Sequence, residues 1–169
     1  VGEVPQQIPL YFVSARPPQL RAVIERKMLI DGVQFDGITF KDQLAHVLRG
    51  QFSSLTEHVG YKLSALLLGR RSRPKRAKEI LFGDDSESDA LIFSLYGRIL
   101  RGELRGYDLE LELARYRVEP RAIGYLLSLT SDLAVFDGLK GIFIRAVDGV
   151  PEGSELSNDP LVHHIASPL

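Results

Sequence analysis

The chain has 169 residues, of which 44% are hydrophobic and 25% are charged, as in an ordinary globular domain that can close one substantial core. Its 21 Lys and Arg residues nearly balance its 22 Asp and Glu residues, so the chain has no overall attraction to nucleic acid or to acidic membranes. The absence of cysteine excludes disulfides, thiolate metal sites and cysteine nucleophiles and fits a cytoplasmic location, and no apolar run approaches the roughly 20 residues that span a bilayer.

The first half of the chain predicts two strands with a helix between them. Residues 8–13 (IPLYFV) form a nearly continuous apolar run, typical of a strand buried on both faces of a parallel sheet. The proline pair at positions 17–18 favours a helix start, and apolar residues then recur at helical spacing until Gly32 ends the helix. Residues 35–40 predict a second strand, and residues 43–60 have a mixed pattern that is partly helical.

The second half of the chain alternates predicted helices and strands. In chain order these are a helix at 62–68 that Gly69 ends, a basic loop at 70–78, a strand at 80–82, helices at 89–100, around 108–117 and at 120–129, and a strand at 142–147. Residues 1–150 are thus expected to form one domain. Residues 151–169, rich in Pro, Gly and Ser, are predicted to form a loop-like tail.

This alternation predicts the fold class. Strands that alternate with helices indicate an α/β protein, here a Rossmann-like three-layer sandwich with a mainly parallel sheet. In such sheets ligands bind beyond the carboxyl ends of the strands. The polar residues at those predicted ends are Ser14, Asp42 and the pair Asp84 and Asp85.

Three features with the chemistry of phosphoryl transfer follow one another along the chain. Ser14 follows the first apolar strand, and its hydroxyl can donate a hydrogen bond to a phosphoryl oxygen. Lys62 opens a predicted helix and supplies a compact positive charge. The acids Asp84, Asp85 and Asp89 follow a predicted strand, and clustered carboxylates recruit Mg²⁺, which prefers oxygen ligands. Phosphoryl transfer depends mainly on positioning and on neutralising negative charge, so these residue types suit it.

In this order the segments resemble the haloacid dehalogenase superfamily of phosphatases. The segment FVSAR around Ser14 resembles the second motif of that family, Lys62 its third, and GDDSESD at residues 83–89 its fourth. The resemblance covers residues 8–147 and is greatest to phosphatidate phosphatase catalytic domains of the actin-patch protein type. The shared features are the small and aromatic residues of FVSARPPQL, the short distance along the sequence to Lys62, and a closing strand like GIFIRAV.

The resemblance implies a Mg²⁺-dependent hydrolase of phosphate monoesters that forms an aspartyl-phosphate intermediate. Ser14 would hold the phosphoryl group, and Lys62 would stabilise the charged intermediate. Arg16, two residues past the strand end, is a further candidate for the phosphate, and pairing with a neighbouring acid is its alternative. A phospholipid is the narrower substrate implied. No nucleic-acid partner is expected, and a membrane surface has no independent support.

The same resemblance implies a magnesium site in the acidic segment. Asp84 would bind Mg²⁺, and Asp85 is a second candidate ligand because the register of the paired acids is ambiguous. Asp89 would support either the metal shell or Lys62. The short step from Phe40 to Lys62 leaves little room for a large cap domain, so an open site is expected.

The sequence departs from the family at its first motif, an Asp-x-Asp pair that carries the nucleophile and the general acid/base. No Asp-x-Asp occurs here. Because the strand with that motif lies at the centre of the family's sheet, its absence would leave two central edges unpaired. A truncated N-terminus, closure of the neighbouring strands, or a second polypeptide in the gap would each account for this. We expect the 169-residue chain alone to have little or no phosphatase activity.

Each feature also has a simpler interpretation. In these interpretations Ser14 caps the helix that follows it, and Lys62 is a solvated lysine at a helix start. The acids then complement a helix dipole. The six cations of residues 70–78 are interpreted as a solvated loop at the opposite sheet edge from the acids. The alternative function is a non-catalytic α/β interaction module derived from such an enzyme. A phosphoacceptor receiver domain fits less well, because its acids precede its lysine.

Overall fold

A computed structural model describes residues 8–14, 16–40, 55–84, 88–145 and 159–165, and within 55–57 only the backbone. The chain divides into two compact units, residues 1–50 and 51–169. The described part is a mixed α/β protein in which every strand pairing is parallel. No helix in that part is long and apolar enough to cross a membrane.

In the first unit two short strands pair with each other, and a helix lies between them in the sequence. Strand β1 (Tyr11–Ser14) lies parallel to β2 (Gly37–Phe40), and Phe12 faces Ile38 in the register. Helix α1 (Arg21–Ile30) follows a single 3-10 turn at Pro18–Leu20. The predicted strand, helix and Gly32 stop are confirmed: Gly32 has φ +71°, a conformation that glycine adopts at no steric cost. Full burial of the first strand is not observed, since no residue of β1 is fully buried.

The second unit is built on a three-stranded sheet. Its helices are α2 (Leu55–Ser72), α3 (Asp89–Leu100), α4 (Gly106–Arg115) and α5 (Pro120–Thr130). Its strands β3 (Glu79–Asp84), β4 (Leu139–Arg145) and β5 (Val162–Ile165) lie side by side in that order. Helix α3 packs on β3 and β4, and α2 packs on α3 and α5.

The core of this unit explains why α3 forms where the sequence predicts it. The apolar run at 89–100 is buried around most of its circumference, as expected of a helix covered on several sides. Ile142 and Ile144 of β4 close the core from the sheet and are fully buried. Each such side chain contributes about 1.5–3 kcal/mol to the free energy of unfolding. The opposite face of the sheet exposes Ile80 and Phe82 of β3.

Two sequence predictions in this unit are wrong. Helix α2 does not end at Gly69 but continues to Ser72, so residues 70–72 are helical rather than part of the basic loop. The space at Gly69 is used by Arg73, whose Nη2 lies 3.3 Å from the position a Cβ would take. The predicted tail also contains a strand, since β5 pairs with β4 and His163 stacks on Phe143 with ring centroids 5.1 Å apart. Residues 43–54, with Asp42, lie outside the described residues.

Candidate functional site

The candidate site lies where β3 ends and α3 begins. Asp84 is the last residue of β3, and Asp89 is the first residue of α3. Ser88, between them, has a left-handed backbone with φ 61°, which turns the chain into the helix. Lys62 reaches the same point from α2. The expectation that the third and fourth motif segments meet at the carboxyl end of this strand therefore holds for Lys62, Asp84 and Asp89.

Lys62 and Asp89 form a buried ion pair. Lys62 Nζ donates a hydrogen bond to Asp89 Oδ1 at 2.5 Å, and the two side chains are only 7% and 11% exposed. Charges removed from water to this extent are stable only when they are paired and hydrogen-bonded. The interpretation of Lys62 as a solvated lysine at a helix start is therefore wrong, because it is buried and lies well inside α2.

The second oxygen of Asp89 organises the end of β3. The backbone N–H of Asp84 donates to Asp89 Oδ2 at 3.3 Å, so one carboxylate joins the lysine to the strand end. Of the two roles expected for Asp89, the structure shows contact with Lys62. Burial raises the pKa of Asp89 above its ordinary value, and the hydrogen bond and charge of Lys62 offset part of that rise.

Gly83 permits this close approach. A Cβ at position 83 would lie 2.6 Å from both Cβ and Oδ2 of Asp89 and 2.8 Å from the Phe93 ring, closer than real side chains come. The first turn of α3 can thus rest on β3 only because residue 83 has no side chain. The glycine before the paired acids was the sequence signal for this contact, which sequence reasoning did not use.

His58 is a further residue that sequence reasoning missed. It lies on α2 one helical turn before Lys62, and this spacing places the two residues on the same side of the helix. Its Nδ1 is buried without a hydrogen-bond partner in the described structure. Buried nitrogens are seldom left unpaired, so this position is unusual.

The remaining predicted residues are placed as follows. Ser14 ends β1 in the first unit, where its Oγ accepts a hydrogen bond from the backbone N–H of Arg16 at 3.3 Å. It does not cap α1, since the helical turn begins only at Pro18, so that simpler interpretation is wrong. Arg16 is exposed, and Asp85 lies outside the described residues. The convergence of Ser14 and Arg16 with the other three residues stays a prediction.

The acidic residues at this strand end offer oxygen ligands, which Mg²⁺ prefers, but few such residues lie there in the described part of the chain. No group of three or more His, Asp or Glu residues able to hold a metal occurs in the part of the chain that is described. Asp89 bonds to Lys62 and to the backbone of residue 84. One or two carboxylates suffice for Mg²⁺, because that ion keeps several waters.

Comparisons with protein-family profiles, with curated proteins and with solved structures return no significant match. The resemblance to the haloacid dehalogenase superfamily therefore stays a prediction from the sequence motifs.

Proposed function

We propose that this chain carries most of a Mg²⁺-dependent phosphate monoester hydrolase of the haloacid dehalogenase type. The observation that carries the proposal is the buried contact of Lys62 with Asp89, beside Asp84 at the carboxyl end of a parallel strand. A lysine from one helix and acids from a strand-to-helix turn, brought together from distant parts of the chain, are what the third and fourth motifs of that family require.

Each residue is proposed to make a different contribution to binding the phosphoryl group. Lys62 supplies positive charge for the phosphoryl group, and Asp89 fixes the direction of the ammonium group through its 2.5 Å hydrogen bond. Ser14 and Arg16 are proposed to hold phosphoryl oxygens. A buried, oriented ammonium group costs little reorganisation during the reaction, which suits the stabilisation of spread negative charge.

Asp84 is proposed to hold Mg²⁺, with Asp85 as the second candidate ligand. When bound, the ion would offset the repulsion between an anionic nucleophile and an anionic phosphate. Asp89 Oδ2 accepts a hydrogen bond from the backbone N–H of Asp84. This contact fixes the backbone of the residue whose carboxylate is proposed to bind the ion.

The arrangement of β3 supports the Rossmann-like sandwich that completes this proposal. β3 pairs with β4 on one side and has no strand partner on the other among the described strands. Parallel sheets are normally interior structures, so an edge strand such as β3 is unusual in them; the exposed Ile80 and Phe82 side chains lie on the face of the sheet, which a neighbouring strand would not cover. We propose that a strand carrying the nucleophilic aspartate joins this edge. The sequence itself contains no Asp-x-Asp pair, so the 169 residues alone should turn over little or no substrate.

The test is the release of orthophosphate from p-nitrophenyl phosphate with Mg²⁺, using the 169-residue chain and the product of the entire gene. Turnover is expected only where an Asp-x-Asp strand is present. Lys62→Met and Asp84→Asn should then lower kcat at least about 100-fold. Lys140→Met and Asp137→Asn, at exposed positions, are the matched controls.

Three outcomes are informative. Full activity in Lys62→Met and Asp84→Asn would contradict the proposed site. Robust turnover by the 169-residue chain alone would contradict the proposed source of the nucleophile. An entire gene product that binds no Mg²⁺ and hydrolyses no phosphate ester would favour the non-catalytic interaction module. The proposal covers the phosphate ester; a phospholipid as the narrower substrate follows from the resemblance alone.

A further inference from the structure

The loop before β3 is fixed by hydrogen bonds from a buried arginine, Arg70. Arg70 Nη1 donates to the carbonyl of Ala77 at 2.7 Å and to Glu79 Oε1 at 2.9 Å, and Arg70 Nη2 donates to the carbonyl of Lys75. Its guanidinium also lies 5.5 Å from the centre of the Phe136 ring. The backbone of the loop is therefore fixed by one side chain that itself is only 4% exposed.

Glu79 completes this support. Its second oxygen, Oε2, accepts a hydrogen bond from Tyr96 at 2.8 Å and lies 3.1 Å from Arg73 Nη1. One buried carboxylate thus neutralises Arg73 and Arg70, two of the six cations between residues 70 and 78. Because every charged member of this network has a partner, the loss of any one partner would be costly.

The other four cations point to a different role. Arg71, Lys75, Arg76 and Lys78, here called the basic edge, are all exposed. None has an acidic partner among the described residues, and Arg71 makes only one long contact, 3.4 Å from Nη1 to the carbonyl of Leu129. The basic edge is therefore a set of uncompensated charges on a backbone that is already ordered, so binding an anionic surface would cost little further ordering.

The neighbouring loop, residues 131–138, adds an apolar element. Both loops precede parallel strands and so lie at the same edge of the sheet, and the backbone N–H of Glu79 donates to the carbonyl of Gly138 at 2.9 Å. In this second loop Val135 is 64% exposed and Ala134 is also exposed. Its two acids, Asp132 and Asp137, and the neighbouring Lys140 are also exposed.

We propose that this edge of the sheet docks on an anionic lipid bilayer. Basic residues attract the headgroups, and exposed small apolar residues beside them suit the interfacial region. A nucleic-acid backbone would use the charges but leave the exposed Val135 without a role. The inference stands on the loops alone and does not depend on the proposed function.

Docking by this edge would also orient the molecule. The basic edge precedes β3 and Asp84 ends it, so the length of this six-residue strand, roughly 20 Å, separates them. The candidate site would face away from the docking membrane and meet its substrate from the aqueous side.

The experiment measures co-sedimentation of the chain with phosphatidylcholine vesicles that contain or lack phosphatidylserine, at low and high salt. Binding is expected only with phosphatidylserine and should weaken at high salt. Each basic residue near an anionic surface contributes about fivefold to the partition coefficient, so the triple variant Lys75→Ser, Arg76→Ser, Lys78→Ser should lose about a hundredfold. Val135→Ser should cause a smaller loss that persists at high salt.

The matched control removes three exposed arginines elsewhere, with Arg26→Ser, Arg117→Ser and Arg121→Ser. An equal loss in this control would overturn the proposal, since it would reduce the effect to net charge. Absence of binding to phosphatidylserine vesicles would also overturn it, as would tighter binding to a DNA duplex that the first triple variant abolishes. Unchanged vesicle binding in Asp84→Asn is expected, which keeps this result separate from that of the proposed catalytic site.

Discussion

The Lys62 ammonium group lies 2.5 Å from Asp89 Oδ1, although 27 residues separate them in the sequence and both side chains are almost fully buried. A pair removed from water in this way stabilises little as a whole, but each partner depends strongly on the other. The Asp89 carboxylate that bonds to the lysine also accepts the backbone N–H of Asp84.

Removal of one partner should be costly. Lys62→Met leaves the Asp89 charge buried and uncompensated, so the free energy of unfolding should fall by about 3–5 kcal/mol. Urea denaturation followed by circular dichroism measures the change. The ion pair of Glu112 with Arg115, whose side chain is 69% exposed, is the control, and Arg115→Met should cost less than about 1 kcal/mol. In the double variant Lys62→Met, Asp89→Asn the loss should be smaller than the sum of the two single losses; simple additivity would show that the two side chains do not interact.

The protonation of Asp89 should make stability depend on pH. Burial raises the pKa of this carboxyl in the folded chain above its ordinary value of 3.8. The folded form then binds the proton more tightly than the unfolded form, so this residue's contribution to stability falls as the pH rises from the ordinary value through the folded one. A carbon-13 NMR titration of the carboxyl group reads the pKa directly, and Asp89→Asn should remove this part of the pH dependence. A pKa below 3.8 would mean that the attraction of Lys62 outweighs burial.

Two glycine substitutions should have opposite effects. Gly83→Ala places a Cβ 2.6 Å from Asp89 Oδ2, so α3 must shift from β3, and the expected loss is about 1–3 kcal/mol. Gly124→Ala meets nothing within 4 Å on an exposed position of α5 and should stabilise the helix by about 0.5–1 kcal/mol. Thermal unfolding distinguishes the two. A neutral Gly83→Ala would show that the strand and helix do not approach as closely as described.

The buried network of Glu79, which orders the loop that carries the basic edge, can be tested by substituting Tyr96. Its buried hydroxyl donates to Glu79, and burial together with the Glu79 charge raises its pKa. Tyr96→Phe leaves Glu79 Oε2 without this donor, and the free energy of unfolding should fall by about 1–3 kcal/mol. Tyr107→Phe, at a side chain that is 70% exposed, should change nothing measurable. Equal effects of the two substitutions would show that the hydrogen bond to Glu79 contributes nothing.

The elements that sequence alone predicted well are those fixed by local pattern. Helix α3 was predicted with its observed bounds, since an apolar run of that length between an acidic turn and a glycine has few alternatives. Strand β5 was missed because its two apolar residues flank a histidine pair, and its formation depends on register with the distant β4. Gly69 was taken as a helix end because the burial of Arg70, which extends α2, depends on Glu79.

The sequence indicated that Lys62 lies near the acidic segment, but it did not indicate the geometry of their contact. The order of lysine and acids along the chain indicated that Lys62 and the acidic segment meet. The contact of Asp89 with Lys62 depends on where α3 begins, and the absence of a side chain at Gly83 allows α3 to approach β3 this closely. The unpaired nitrogen of His58 had no signal beyond its spacing from Lys62.

Asp84 is proposed to hold Mg²⁺ beside the Lys62–Asp89 pair. A Mg²⁺ titration of the nitrogen-15-labelled chain followed by NMR tests it most directly. We predict saturable shifts confined to the amides around Gly83, Asp84 and Asp89, which Asp84→Asn abolishes and Asp137→Asn leaves intact. If Mg²⁺ leaves these amides unmoved, or shifts them equally in Asp84→Asn, then Asp84 does not hold the ion.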